Sequence, residues 1–398
     1  MTALFRLLLE DRRLPYRALR IGVLATLGWW LVGPTLVERL AFARISPEQL
    51  ERHWDTDFSK RIVDLDEIKS GGPPKDGIPA IDSPRFVDTA QATKWLDPRE
   101  PVIAVVLGDE ARAYPLQILM WHEIVNDTLA GRPIAVTFCP LCNASLVFDR
   151  RIAGRLLDFG TTGMLRKSDL VMYDRQTESW WQQFTGQAIV GELVGTELEQ
   201  VPAQIVAFEA FRDAHPEGVV LSRETGYRRA YGDNPYRGYD AIDNSPFLLD
   251  DPVDPRLPAM ERVLGVSVGD VDRLYPFSLF RERPLIHDDV AGTPVIVLSR
   301  FGTLSALDRG TIAESRTIDS ANAFDRRLDG RTLTFALRDG AIVDTGTGSR
   351  WNLLGQATAG PLAGERLRPL PGGVHFAFAW LAFNPESQIY RPDGSRAD

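Results

Sequence analysis

The sequence predicts a β-rich α+β protein made of two similar, internally duplicated units that follow an N-terminal transmembrane or signal helix. Three features lead to this: short apolar and β-branched runs bounded by turn residues, a pattern of motifs that occurs twice, and one uncharged stretch behind a cluster of arginines.

The uncharged stretch, IGVLATLGWWLVGPTLV at 21–37, is at the short end of what spans a bilayer as a helix. Arg6, Arg12, Arg13, Arg17 and Arg20 precede it, which predicts a single-pass anchor in a bacterial inner membrane with the folded part on the periplasmic or extracellular side. Ala41-Phe42-Ala43 also has the small-x-small form of a signal cleavage site, so secretion after cleavage is the alternative. Residues 1–43 are therefore read as anchor or signal, and the membrane as the partner they engage. Both readings put the rest of the chain in an oxidising compartment.

Of the 398 residues, 44% are hydrophobic and 25% charged, which is ample for a core. A net charge of −9 without a basic stripe argues against nucleic-acid binding. Two cysteines cannot make a disulfide framework for a chain of this length.

The repeat organises the remainder. GDEARAYP at 108–115 matches GDVDRLYP at 269–276, and AGRP at 130–133 matches AGTP at 291–294. Asp149-Arg150 is set against Asp308-Arg309, DRQTESWW at 174–181 against DTGTGSRW at 344–351, and GQA at 186–188 against GQA at 355–357. The units are read as 101–223 and 260–398, with a pre-domain segment at 44–100 and a Pro-, Asp-, Tyr- and Gly-rich connector at 224–259. Strands are expected at 102–107, 134–138, 145–148 and 170–173, and helices at 115–124 and 207–213. Residues found in both units, such as Asp109, Arg112, Tyr114, Gly186 and Gln187, are explained by a shared fold. His122 falls opposite Arg283, and the second unit has no cysteine. The chemistry is thus expected in the first unit.

Its centre is Cys139-Pro140-Leu141-Cys142, between two expected strands. A thioredoxin-type C-x-x-C opens a helix, whose N-terminus lowers the thiol pKa; here a strand follows. A C-x-x-C on a hairpin turn can instead present two thiolates to one soft metal. A third ligand is needed, and His122 in Trp121-His122-Glu123 is the first candidate, with Glu123 behind it as a hydrogen-bond partner. Met164, Met172 and His215 are weaker ligands; copper is the first metal and zinc the second. His215 before Pro216 also reads as a helix-ending turn, and Met172 as core. No organic cofactor is implied. Asp169, Met172, Arg175, Trp181, Gln182 and His215, with Glu123, form the candidate pocket. Two other readings stand beside the metal: a thiol–disulfide pair with Cys139 attacking and Cys142 resolving, and a disulfide staple in a non-enzymatic module whose aromatic segment 227–239 is a recognition surface.

W-H-E at 121–123, C-P-L-C at 139–142, M-Y-D-R-Q-T at 172–177 and Y-G-D-N-P-Y at 231–236 together resemble the DUF3179 family of bacterial proteins. The resemblance is strong over roughly 85–240 and weak over the second unit. It implies one coherent domain around the cysteines and transfers no catalytic residue. Asn143 stands where glycine is expected in relatives.

Overall fold

Why the chain folds into hairpins is visible in its first regular pair. Pro101–Leu107 is an apolar, β-branched run and Glu110–Pro115 buries Ala111, Ala113 and Tyr114; they are joined through Gly108, whose φ of 57° suits the tight turn between them. The computed structural model describes residues 53–392. The anchor or signal at 1–43 lies outside the described residues; among the described residues no helix is long and apolar enough to cross a membrane.

The described residues are β-rich, with few and short helices. In the first half, Pro101–Leu107 and Glu110–Pro115 form a sheet with Ala203–Ala207, Val219–Leu221 and Phe86–Asp88. A second sheet runs Ile124–Leu129, Arg132–Cys139, Ala144–Asp149 and Gln200–Val201. A third contains Ile68–Ser70, Phe159–Arg166, Asp169–Asp174, Trp180–Gln182 and Ala188–Val190. The central strand Arg132–Cys139 is buried from Pro133 onward, which explains its unbroken apolar sequence.

The described part of the 44–100 segment pairs with the first half: Ile68–Ser70 and Phe86–Asp88 are edge strands of its sheets. In the second half, three four-stranded sheets contain the hairpins Arg262–Val268 with Val271–Pro276, Thr293–Leu304 with Thr317–Asp325, and Phe335–Arg338 with Ala341–Asp344. The two halves share a core, in which Phe138, Trp181, Val263 and Phe376 belong to one cluster.

Two expectations are corrected. The helix expected over 115–124 is only Leu116–Leu119. Glu123 then takes a left-handed φ of 57°, and the β-branched Ile124 and Val125 enter a strand opposite Thr137 and Val136. The match of Asp149-Arg150 to Asp308-Arg309 also fails. Asp149 faces Ile134, and the residue facing Val295 in the other half is Asp325; Asp308 lies in the long loop after Leu304. The helix expected at 207–213 is Phe208–Ala214. The connector at 224–259 has no helix or strand, yet Tyr231, Tyr236, Tyr239, Leu249 and Leu257 pack onto the shared core.

Candidate metal centre

Two hairpin turns build the site. The first joins Arg132–Cys139 to Ala144–Asp149, with Cys139 paired to Ala144. Pro140 cannot continue a strand ladder, and the Asn143 N–H closes the turn onto the Pro140 carbonyl at 3.3 Å. Asn143 holds a φ of 50°, a conformation asparagine tolerates better than most residues. Both sulfurs are thereby carried on one turn. The second turn, Lys167-Ser168, joins Phe159–Arg166 to Asp169–Asp174 with φ of 53° and 66°. Two successive left-handed residues make the tight turn that matches strand twist, here without the usual glycine. The turn aims the Ser168 carbonyl at the thiols: Cys142 Sγ lies 3.5 Å from it and Cys139 Sγ 4.0 Å.

Asp169, the first residue after this turn, joins the cysteines. Cys139 Sγ, Cys142 Sγ and a carboxylate oxygen of Asp169 all lie within 4.8 Å of one another, and all three residues are buried. Both cysteines are free thiols. Asp169 Oδ2 accepts from Gln182 Nε2 at 2.7 Å and from the Phe184 N–H at 2.9 Å, whereas Oδ1 is buried with no hydrogen-bond partner. An orphaned carboxylate oxygen beside two thiols is the donor set a metal ion would satisfy. Cys139, Cys142 and Asp169 could therefore hold a metal.

The electrostatics agree with the geometry. Burial pushes the Asp169 carboxyl up to about 6 and both thiols above their ordinary value, Cys142 well above it. Glu123, nearby, is raised to about 8 by burial and then by Asp169. Burial without a countercharge favours the protonated form of every one of these acids. A bound cation reverses that preference and releases the protons.

His122 is not in the cluster. Its Nδ1–H donates to the Pro79 carbonyl at 2.7 Å, so the neutral ring accepts at Nε2 from the Tyr231 hydroxyl at 2.6 Å. Burial lowers its pKa to about 4, and both nitrogens are engaged, one by Pro79 and the other by Tyr231 of the connector. Of the pocket candidates, Gln182 touches the site directly by holding Asp169. Met172 pairs with Trp181 across the sheet and is core, and the Trp181 indole donates to Asp174 at 2.9 Å. Arg175 is exposed and paired with Asp82 at 2.6 Å. His215 caps the helix Phe208–Ala214 and meets Gln356 at 2.9 Å, outside the cluster.

Glu123 and Met164 instead line a cleft of about 280 Å³, together with Leu141 of the cysteine turn and Tyr236, Tyr239 and Phe247 of the connector. The sequence marked the segment 227–239 as aromatic; that it roofs the cysteine turn depends on a chain reversal no local pattern encodes. His375 was missed altogether. It is fully buried, 4.8 Å ring to ring from Phe184, with neither nitrogen hydrogen-bonded, and burial lowers its pKa to about 3. A lone histidine in an apolar strand carries no sequence signal for such a place.

No curated protein and no solved structure matches this chain. A family model described as "Protein of unknown function (DUF3179)" matches residues 75–387, a span that takes in both hairpin turns, the connector and the second half. The cysteine turn, the Asp169 turn and the roof over them thus all lie within one family domain, and the chain belongs to the DUF3179 family.

Proposed function

We propose that the protein is a metal-binding protein in which Cys139, Cys142 and Asp169 ligate one zinc ion, with a fourth position open toward the cleft. The observation that carries this is the buried, partnerless Asp169 Oδ1 within 4.8 Å of two free thiols. Zinc takes first place over copper because a carboxylate stands where an imidazole was expected; Cu(I) prefers all-soft donors, and zinc accepts sulfur and oxygen together. Three protein ligands and an open fourth position are the pattern of a catalytic rather than a structural zinc site. We further propose that the two halves are copies of one ancestral unit of which only the first kept a site. The folded part is exported and tethered by residues 21–37, or secreted after cleavage.

A second reading has its own support. Two free thiols on one turn, with a carboxyl of pKa about 6 beside them, also suit thiol–disulfide exchange. Asp169 would accept the Cys139 proton; the thiolate would attack a partner protein's disulfide, releasing a partner thiol, and Cys142 would then resolve the mixed disulfide. The internal dithiol is oxidised and the partner reduced by two electrons.

Competition of zinc and Cu(I) against chelators of known affinity, on full-length protein purified anaerobically, separates the two. Tight stoichiometric zinc, weakened by Asp169→Asn, supports the metal reading. Absence of any metal affinity, together with a Cys139–Cys142 bond that forms reversibly in a thiol redox buffer, replaces it with the second.

A further inference from the structure

We propose that the cleft in front of the cysteine turn is a binding site for an organic ammonium ion, a small alkylated amine held by Glu123 and the connector's aromatic rings. Glu123 is 7% exposed, lines the cleft, and its carboxyl has no hydrogen-bond or ion-pair partner among the described residues. A buried carboxyl without a partner is costly, and a ligand that supplies a positive charge removes the cost. No lysine, arginine or histidine lines the cleft, so nothing in the wall supplies that charge. Two lysines that reach the connector are engaged by its acids: Lys69 pairs with Asp250, and Lys167 pairs with Asp251 at 3.3 Å.

The remaining wall says what kind of cation fits. Tyr236, Tyr239 and Phe247 contribute three aromatic rings, and Leu141 and Met164 contribute apolar surface. Ring faces attract cations, and aromatic cages with an acidic side chain recognise alkylated ammonium groups, whose methyl surface is apolar and whose charge is diffuse. A hydrated inorganic cation would gain nothing from the leucine, the methionine or the rings. An anion would meet Glu123 first and then the acids of the cysteine centre behind it. A volume of about 280 Å³ accommodates a molecule of several carbon atoms.

The inference does not rest on the metal reading, and its test is run on both chelator-treated and zinc-loaded full-length protein. Choline and its uncharged isostere 3,3-dimethylbutan-1-ol are titrated by calorimetry and by ligand-observed NMR. Choline is expected to bind at least about tenfold tighter than the alcohol, a margin in the range cation–π and charge pairing supply. Glu123→Gln removes that preference. Tyr236→Leu weakens choline about three- to tenfold while leaving the alcohol little changed. Equal binding of the two probes, or choline binding that survives both substitutions, overturns the proposal, as does a failure of choline to bind. If choline binds the metal-free protein and zinc does not bind, only the metal reading falls.

Discussion

Two hairpins, one in each half, start alike and end differently. In the first, Ile134 faces Asp149, which is held by Arg132 and Arg151; in the second, Val295 faces Asp325, which is held by Arg327 and Arg368. Arg150 Nη1 donates to the Leu157 carbonyl, and Arg326 Nη1 donates to the Leu333 carbonyl. They part at the tip. The first closes at once through Pro140-Leu141-Cys142-Asn143, whereas the second runs on to Leu304 and a loop at 305–316.

Each tip lies near a buried aspartate, and the contrast between the two is instructive. Asp240, packed against the second tip, meets Arg262 at 2.6 Å, Arg316 at 2.7 Å and the Ser305 hydroxyl at 2.5 Å. Burial works to raise its pKa, but these partners hold it below the ordinary value. Asp169, behind the first tip, has amide donors and the neighbouring thiols but no cation beside it, and burial raises its pKa. One buried carboxylate carries its cations with it. The other is built among acids, an arrangement that stores no net stability unless a cation arrives from outside.

The sharpest way to break this contrast is to remove a sulfur. Cys139→Ser or Cys142→Ser is expected to lower zinc affinity by about 1,000-fold or more, since a thiolate ligand is lost from a three-ligand site. Arg300→Ser, near the other tip, leaves zinc affinity unchanged in the same titration. Next, Asp240→Asn is expected to cost about 3 kcal/mol in denaturant unfolding by stranding Arg262 without a countercharge, with no effect on zinc. Asp169→Asn behaves oppositely: zinc weakens about 10- to 100-fold and the metal-free protein is not destabilised.

A smaller effect is the pH dependence of the metal-free protein. Folded, Asp169 keeps its proton to about pH 6 and Glu123 to about 8. The unfolded chain releases both near ordinary carboxylate values, so the folded state binds more protons across this window. This contribution to stability is therefore fully present at about pH 4 and is lost as pH rises toward 8. Thermal melts in chelator across this range check it; the double variant Glu123→Gln with Asp169→Asn should flatten the slope. The smallest expected change is Asn143→Gly, which relieves the left-handed turn and shifts stability by less than about 1 kcal/mol, with zinc retained.

What could be read from the sequence follows the range of the forces involved. The strand at 134–138, its partner at 145–148 and the cysteine turn between them are set by local apolar runs, Pro140 and Asn143, so the hairpin was legible. Asp169 was legible as a polar residue at a strand start, but its meeting with the cysteines depends on how two separate hairpins stack. His122 misled because an imidazole beside Glu123, in the unit that holds the cysteines, has the chemistry of a third ligand, while its partners, Pro79 and Tyr231, lie far away along the chain in both directions. The Asp-Arg pairing failed for a different reason. The strand end that faces Val295 is Asp325, because the second hairpin has a longer loop at its tip, and Asp308-Arg309 lies inside that loop.

The most direct test of the account is zinc-edge X-ray absorption on full-length, zinc-loaded protein. Two sulfurs near ~2.3 Å with a shell of light atoms near ~2.0 Å and no imidazole scattering are the predicted spectrum, and Asp169→Asn should alter only the light-atom shell. A spectrum without sulfur, or one with imidazole scattering that disappears in His122→Ala, would contradict it.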